Sequence, residues 1–201
     1  MSRGRYIALE GIEGAGKSTI QDYLVGALSS DGYEVVTVRE PGGTSTGEGI
    51  RRLLLDGEDM APWTEALLFA AQRSQLAQEV IRPALDRGAW VIGDRSVYSS
   101  LAYQGGGREL GIDAVRRVNQ AGLGSTWPDL VIVLVVDPEA GLARQEGADR
   151  IGGQGVEFQQ AVARIYGELA SAEPDRVALV DASGSLGEVA EQVVQLVRDR
   201  W

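Results

Sequence analysis

Cysteine and histidine are both absent from the 201 residues, and lysine occurs once, at position 17. Without cysteine there is no disulfide framework and no thiolate chemistry. Without histidine, the commonest general base and the commonest metal ligand are missing. Catalysis by such a chain must rest on positioning, on lysine and arginine, on carboxylates and hydroxyls, and on a bound metal. Long apolar runs are also missing: the longest, Leu130–Val136, is far too short to span a bilayer. The opening residues enter a strand-like run without an apolar leader core. Positive charge is scarce, with 19 cations against 29 carboxylates and a net charge of −10. That balance argues against polymeric nucleic acid or an anionic membrane as partner. An anionic ligand would need the few cations gathered at its site. The expectation is a soluble, acidic, cytoplasmic protein.

What is present reads as one α/β domain over residues 1–201, with hydrophobic residues at 44%. Five β-rich runs recur: Tyr6–Glu10, Glu34–Val38, Trp90–Asp94, Asp129–Asp137 and Arg176–Asp181. Most are continuously apolar, as expected for strands buried on both faces of a parallel sheet. Helical patterns separate them at Lys17–Leu28, Thr46–Leu55, Thr64–Asp86, Asp113–Leu123, Glu139–Arg144, Glu157–Ala170 and Leu186–Arg198. Pro83 predicts a kink or an early end in the third of these. Strand–helix alternation over the whole length indicates a doubly wound five-stranded parallel sheet flanked by helices. The segment Glu146–Gly155 holds four glycines in ten residues and reads either as a surface loop or as a short lid, over about 145–155.

The sole lysine lies in GIEGAGKST, Gly11–Thr19. Gly11, four residues, then Gly16, Lys17 and Ser18 make a phosphate-binding P-loop pattern, and a strand precedes it while a helix follows. Glycines let consecutive backbone N–H groups curl around phosphate oxygens, and the helix points its positive end at them. Lysine is a compact charge on a flexible stem that threads the loop toward the β- and γ-phosphates, where the planar fork of arginine would not fit. The candidate ATP-binding set is Gly11, Ile12, Glu13, Gly14, Ala15, Gly16, Lys17, Ser18 and Thr19. Ser18 offers a hydroxyl to Mg²⁺. A guanine-reading motif with a second lysine is impossible here, and the chain is short for a large motor, so a kinase of a small acceptor is indicated.

Further motifs stand in order along the chain: REPGGT (Arg39–Thr44), LLFAAQRSQ (Leu67–Gln75), DRSVYSSLAYQGGGR (Asp94–Arg108) and ADRI (Ala148–Ile151). By themselves they admit plain readings: a turn, a solvated Arg51–Arg52 pair, a core Phe69 with a surface Arg73, a polar helix start at SSLAYQ. Asp94 and Arg95 stand at the tip of a buried strand, where uncompensated charge is costly, so they are functional or mutually paired. Together with the P-loop, these motifs resemble bacterial thymidylate kinases over essentially the whole length. Two departures are Ser96, where that family usually carries an aromatic, and a lid shorter and poorer in arginine.

The resemblance implies phosphorylation of dTMP to dTDP by ATP with Mg²⁺, on a homodimeric enzyme. It assigns the acceptor site to Glu13, Arg39, Arg51, Phe69, Arg73, Arg95, Ser99, Tyr103 and Gln104. In this assignment Arg51 grips the monophosphate, Phe69 stacks on thymine, and Arg73 caps the ring at its carbonyl edge. Ser99 and Gln104 take the polar edge of the base, and Tyr103 stands where a ribose 2′-hydroxyl would fall. Glu13 faces the acceptor 3′-hydroxyl, Arg95 bridges the phosphates, and Ser18 and Asp94 hold the metal. Lys17, Arg95, Arg144 and Arg150 form the catalytic set. The P-loop carries no arginine, so Arg144 and Arg150 are expected to bring the cation over the transferring phosphoryl group on lid closure. Arg144 also reads as an ordinary helix-end cation. A kinase of another small acceptor, or a nucleotide-dependent switch without transfer activity, is the alternative.

Overall fold

The computed structural model describes residues 3–144 and 150–201, so residues 145–149, the first part of the expected lid, lie outside the described residues. All five expected strands form: β1 (Tyr6–Glu10), β2 (Val35–Arg39), β3 (Trp90–Asp94), β4 (Leu130–Val135) and β5 (Val177–Asp181). They pair in parallel in the order β2-β3-β1-β4-β5. Every residue of β1 is buried, as are the first four of β3 and the first five of β4. These are the apolar runs of the sequence, and each fully buried aliphatic side chain contributes roughly 1.5–3 kcal/mol. β4 stops short of Asp137, whose carboxylate instead caps the following helix by accepting from the backbone N–H groups of Glu139 and Ala140.

The helices are α1 (Lys17–Ser30), α2 (Ser45–Leu55), α3 (Pro62–Leu76), α4 (Arg82–Asp86), α5 (Val97–Ser100), α6 (Ile112–Leu123), α7 (Pro138–Ala143), α8 (Val156–Ala172) and α9 (Leu186–Arg200). The expected helix over 64–86 is interrupted where Pro83 predicts it. A π-helical turn, Ala77–Ile81, joins α3 to α4, with the N–H of Arg82 donating to the carbonyl of Ala77. A proline lacks the N–H of the regular ladder, and a wider turn accommodates that loss.

A second π-helical segment, Leu101–Gly107, continues α5 and goes beyond the helix start that SSLAYQ suggests. It packs against α8 through its glycines. A Cβ on Gly106 would stand 2.2 Å from Ile165 Cγ1, and one on Gly107 would stand 2.7 Å from Phe158 Cε2. The wide turn and the missing side chains together let α8 pack closely here, and from α8 the Tyr166 hydroxyl reaches Glu10 at the carboxyl end of β1.

Candidate active site

β1 delivers the chain into the phosphate loop, and α1 begins at Lys17 behind Gly16, a left-handed residue with φ of 85°. No side chain caps this helix and no acidic residue stands in its first turn. Its first N–H groups and its positive dipole end are therefore free to take an anion. Gly14, with φ of 72°, lies so close to α7 that a Cβ would come within 2.0 Å of the Gly141 carbonyl oxygen. This approach locks the loop to α7 and sets Arg144, the residue after α7, at the cavity rim.

Lys17 is 8% exposed, and its Nζ folds back to donate to the carbonyls of Gly11 (3.2 Å) and Ile12 (2.9 Å). Burial, and next the nearby Arg95 guanidinium, lower its pKa to about 8. Two negative phosphates beside the ammonium would reverse that destabilisation. Next along the helix, Ser18 Oγ donates to Asp94 Oδ2 at 2.9 Å. The helix start and the tip of β3 thus put a hydroxyl and a carboxylate side by side. Mg²⁺ takes oxygen ligands and is commonly held through one or two carboxylates plus substrate phosphates and waters, so this pair fits it. Among the described residues no group of three or more acidic side chains is placed to hold a metal ion.

At the same strand tip, Arg95 has a φ of 71°, a left-handed conformation that a long side chain adopts only under constraint. The constraint is a ring of contacts. Its Nη1 donates to the Gly11 carbonyl (3.3 Å) and to Ser99 Oγ (3.2 Å), Nη2 is ion-paired with Glu13, and the guanidinium lies over the Tyr103 ring, 5.1 Å from its centroid. Burial acts to raise the Glu13 pKa, but Arg95 and then Lys17 outweigh it and hold the carboxyl below its ordinary value.

Beneath these groups sits Glu10, fully buried at the end of β1. It accepts from Ser96 Oγ (2.7 Å), Ser99 N (3.1 Å), Ser99 Oγ (2.6 Å) and Tyr166 Oη (2.7 Å). Ser96 also caps α5 by accepting from the N–H of Tyr98. Its small polar side chain is therefore explained: it satisfies a buried carboxylate and starts a helix.

A cavity of about 400 Å³ opens at the carboxyl ends of β1, β2 and β3. The ligand crevices of doubly wound sheets lie at this edge. The expected residues Glu13, Lys17, Ser18, Thr19, Arg39, Arg51, Phe69, Asp94, Arg95, Ser99, Tyr103, Gln104 and Arg144 all line it. Arg39 pairs with Glu48 at 3.0 Å, and Arg51 Nη1 donates to the Pro41 carbonyl at 2.8 Å. Tyr103 is 3% exposed, and its hydroxyl has no hydrogen-bond partner among the described residues.

Of the expected loop residues, Gly14 and Gly16 also line the cavity, whereas Gly11, Ile12 and Ala15 do not, Ile12 and Ala15 being packed in the core. Two expected arginines also take other places. Arg73 is 2% exposed and does not line the cavity. Its Nε donates to Glu40 Oε2 (2.6 Å), Nη1 to Asn119 Oδ1 (2.6 Å) and Nη2 to the Ser96 carbonyl (3.2 Å). Arg150 likewise stays off the cavity surface: its Nη1 pairs with Glu65 Oε2 at 2.8 Å and its Nε donates to the Leu54 carbonyl at 2.9 Å. Arg144 alone of the two expected lid cations stands at the cavity.

Sequence reasoning passed over Glu40, Glu65, Arg108 and Ile151. Glu40 and Ile151 line the cavity, and each lay inside a quoted motif. Glu40 is buried with Oε1 unpartnered among the described residues, and burial raises its pKa despite Arg73. Glu65 carried no signal at all, being one acidic residue in a helix.

A family model described as thymidylate kinase matches residues 9–193. The chain is 44% identical to the thymidylate kinase of Synechococcus sp. (strain JA-3-3Ab) over 195 residues, 97% of this chain and 96% of that protein. It is 44% identical over 203 residues to the thymidylate kinase of Halothermothrix orenii, covering 98% and 97%. With the thymidylate kinase of Lactobacillus delbrueckii subsp. bulgaricus it shares 45% identity over 207 residues, covering 99% and 98%.

Proposed function

The chain belongs to the thymidylate kinase family, and on that premise we propose that it transfers the γ-phosphoryl group of ATP to dTMP, releasing dTDP and ADP, in the cytoplasmic supply of dTTP. One observation carries the reading. A single cavity is walled at one part by the phosphate loop with Lys17 and Ser18, and at another by Phe69, Tyr103 and Gln104. Donor phosphates and a flat, hydrogen-bonding acceptor are thereby held against each other.

In the step itself, an oxygen of the acceptor's phosphate attacks the γ-phosphorus in line. The new P–O bond forms as the β–γ bridging bond breaks, and ADP leaves. No proton acceptor with a tuned pKa is required, which suits a chain without histidine. Lys17 and the N–H groups at the start of α1 bind the donor phosphates, while Arg95, bonded to both Gly11 and Glu13, spans donor and acceptor. Arg144 supplies charge from the rim. Ser18 and Asp94 would hold Mg²⁺, which when bound neutralises charge on the phosphates. Arg39 and Arg51 face the acceptor phosphate, Phe69 stacks on the base, and Gln104 meets its polar edge. Arg73 supports this wall through Glu40. Tyr103 and Glu13 face the sugar, while Ser99, whose hydroxyl donates to Glu10 and accepts from Arg95, is held back from the base edge and steadies that arginine instead.

The experiment is ADP release from MgATP across the common nucleoside monophosphates. The highest kcat/KM is expected for dTMP. ADP formation that no acceptor stimulates, or a clear preference for another monophosphate, would sink the reading.

We propose further that two copies associate. Trp63 and Leu67, one turn apart on α3, are 41% and 53% exposed, and Leu53 on the adjoining α2 is 55% exposed. Large apolar side chains gathered on neighbouring helices suit a second protein surface.

A further inference from the structure

Glu65 lies in α3, 1% exposed, outside every motif of the family resemblance. Three side chains from distant parts of the chain converge on its carboxylate. Gln104 Nε2 donates to Oε1 at 2.9 Å, Arg108 Nε and Nη2 donate to Oε1 (3.3 Å) and Oε2 (3.2 Å), and Arg150 Nη1 pairs with Oε2 at 2.8 Å. Gln104 reaches Glu65 while also lining the cavity.

An ionised carboxylate only accepts hydrogen bonds. Facing Glu65, the Gln104 amide must turn its NH2 toward the carboxylate, because the opposite orientation would set carbonyl oxygen against carboxylate oxygen. The amide is planar, so its carbonyl oxygen is then directed away from Glu65. We propose that Glu65 is a specificity-positioning residue: it fixes the Gln104 amide so that the cavity is offered an acceptor and not a donor. Thymine carries an N3–H donor on that edge, whereas cytosine presents an acceptor nitrogen there. A ligand whose acceptor meets a fixed acceptor leaves both without a partner, which is the situation that polar sites reject most strongly. Uracil shares thymine's N3–H, so the device sorts cytosine from thymine and is indifferent to the 5-methyl group.

Two arginines on the same carboxylate make the arrangement durable. Burial alone would raise the Glu65 pKa, but the hydrogen bonds from Arg108 and Gln104, and then Arg150, hold it below its ordinary value, so the group stays an acceptor at neutral pH. Arg150 is anchored in turn, with its backbone N–H on the Leu55 carbonyl at 3.3 Å and its Nε on Leu54.

The proposal rests on the dTMP reading above, and the test separates the two. Dissociation constants for dTMP, dUMP and dCMP are measured by calorimetric titration, dCMP by displacement of dTMP, on the wild type, Glu65→Gln and Gln104→Ala. A glutamine at 65 presents either amide face to Gln104 and so releases its orientation. Glu65→Gln is expected to narrow the dTMP:dCMP preference about tenfold, while the dTMP:dUMP ratio stays within about twofold. If all three ligands weaken in parallel, Glu65 is only a structural support and the proposal falls. If Gln104→Ala narrows the dTMP:dCMP preference but Glu65→Gln does not, the proposal falls and the base-reading assignment stands. If Gln104→Ala leaves that preference intact, the base-reading assignment falls and takes the proposal with it. Should Glu65→Gln not fold, Glu65→Gln/Arg150→Gln removes the charge left uncompensated, with the same outcomes deciding.

Discussion

Lys17 reaches over its own loop to the carbonyls of Gly11 and Ile12, a path six residues long within one tight turn. A guanidinium has the same charge but a wider planar head, and the close packing of Gly14 on Gly141 leaves the loop no room to widen. Lys17→Ala is expected to keep the fold and lower kcat by on the order of 10²–10³, the range for removing a group aimed at developing charge. Lys17→Arg should recover little of this. Circular dichroism with steady-state kinetics checks both, and an arginine variant with near-normal turnover would refute the steric account. The two expected lid arginines separate at the same scale. Arg144 stands exposed at the cavity, whereas Arg150 is spent on Glu65 and Leu54. Arg144→Ala is therefore expected to lower kcat on the order of a hundredfold with little change in the KM for ATP, as for a cation that acts in the transition state. Arg150→Ala should act mainly on dTMP binding. Equal effects of the two variants on kcat alone would contradict this division.

Elements meet at Glu65: α3 supplies the carboxylate, the π-helical segment supplies Gln104, and Arg108 and Arg150 close in from the two chain stretches that follow. Because the folded carboxyl is held below its ordinary value of 4.5, the unfolded chain binds the proton first as pH falls. The stabilisation is fully present above about 4.5 and disappears as pH drops through the lower folded value. Glu65→Gln should cost roughly 1.5–3 kcal/mol near neutrality, the scale for hydrogen bonds to a charged group. Its stability should also change less than that of the wild type between neutrality and acid. Urea unfolding of both proteins across that range measures the difference, and parallel pH profiles would show that Glu65 is not the titrating group.

At the scale of the whole molecule, a net charge of −10 coexists with a cavity lined by Lys17, Arg39, Arg51, Arg95 and Arg144. The sheet makes that concentration possible, since the carboxyl ends of β1, β2 and β3 lie side by side in the order β2-β3-β1. The apolar side chains on α2 and α3 belong to this scale too. Sedimentation is expected to give twice the chain mass, and Leu67→Glu is expected to shift the protein to the monomer by burying a charge at the proposed interface. A monomeric wild type at micromolar concentration would end the proposal of association.

Periodicity and local chemistry make much of this legible in the order of the residues. The five strands are runs of apolar residues long enough to be buried on both faces, and the phosphate loop is a local object whose residues are adjacent in the chain. The sequence by itself therefore determined the parallel sheet, the P-loop and the residues of its motifs. Tertiary structure decided the rest, because it depends on which distant residues meet. Gly106 and Gly107 show no purpose along the chain until α8 is packed on them, and Gly105 none until α6 is. Ser96 lacks a reason until the buried Glu10 is found beside it. Arg73 and Arg150, both matched by motif, are directed by Glu40 and Glu65, two carboxylates whose roles no spacing along the chain announces. A hydrogen bond or ion pair needs a partner within about 3 Å, and distance in sequence does not fix distance in space.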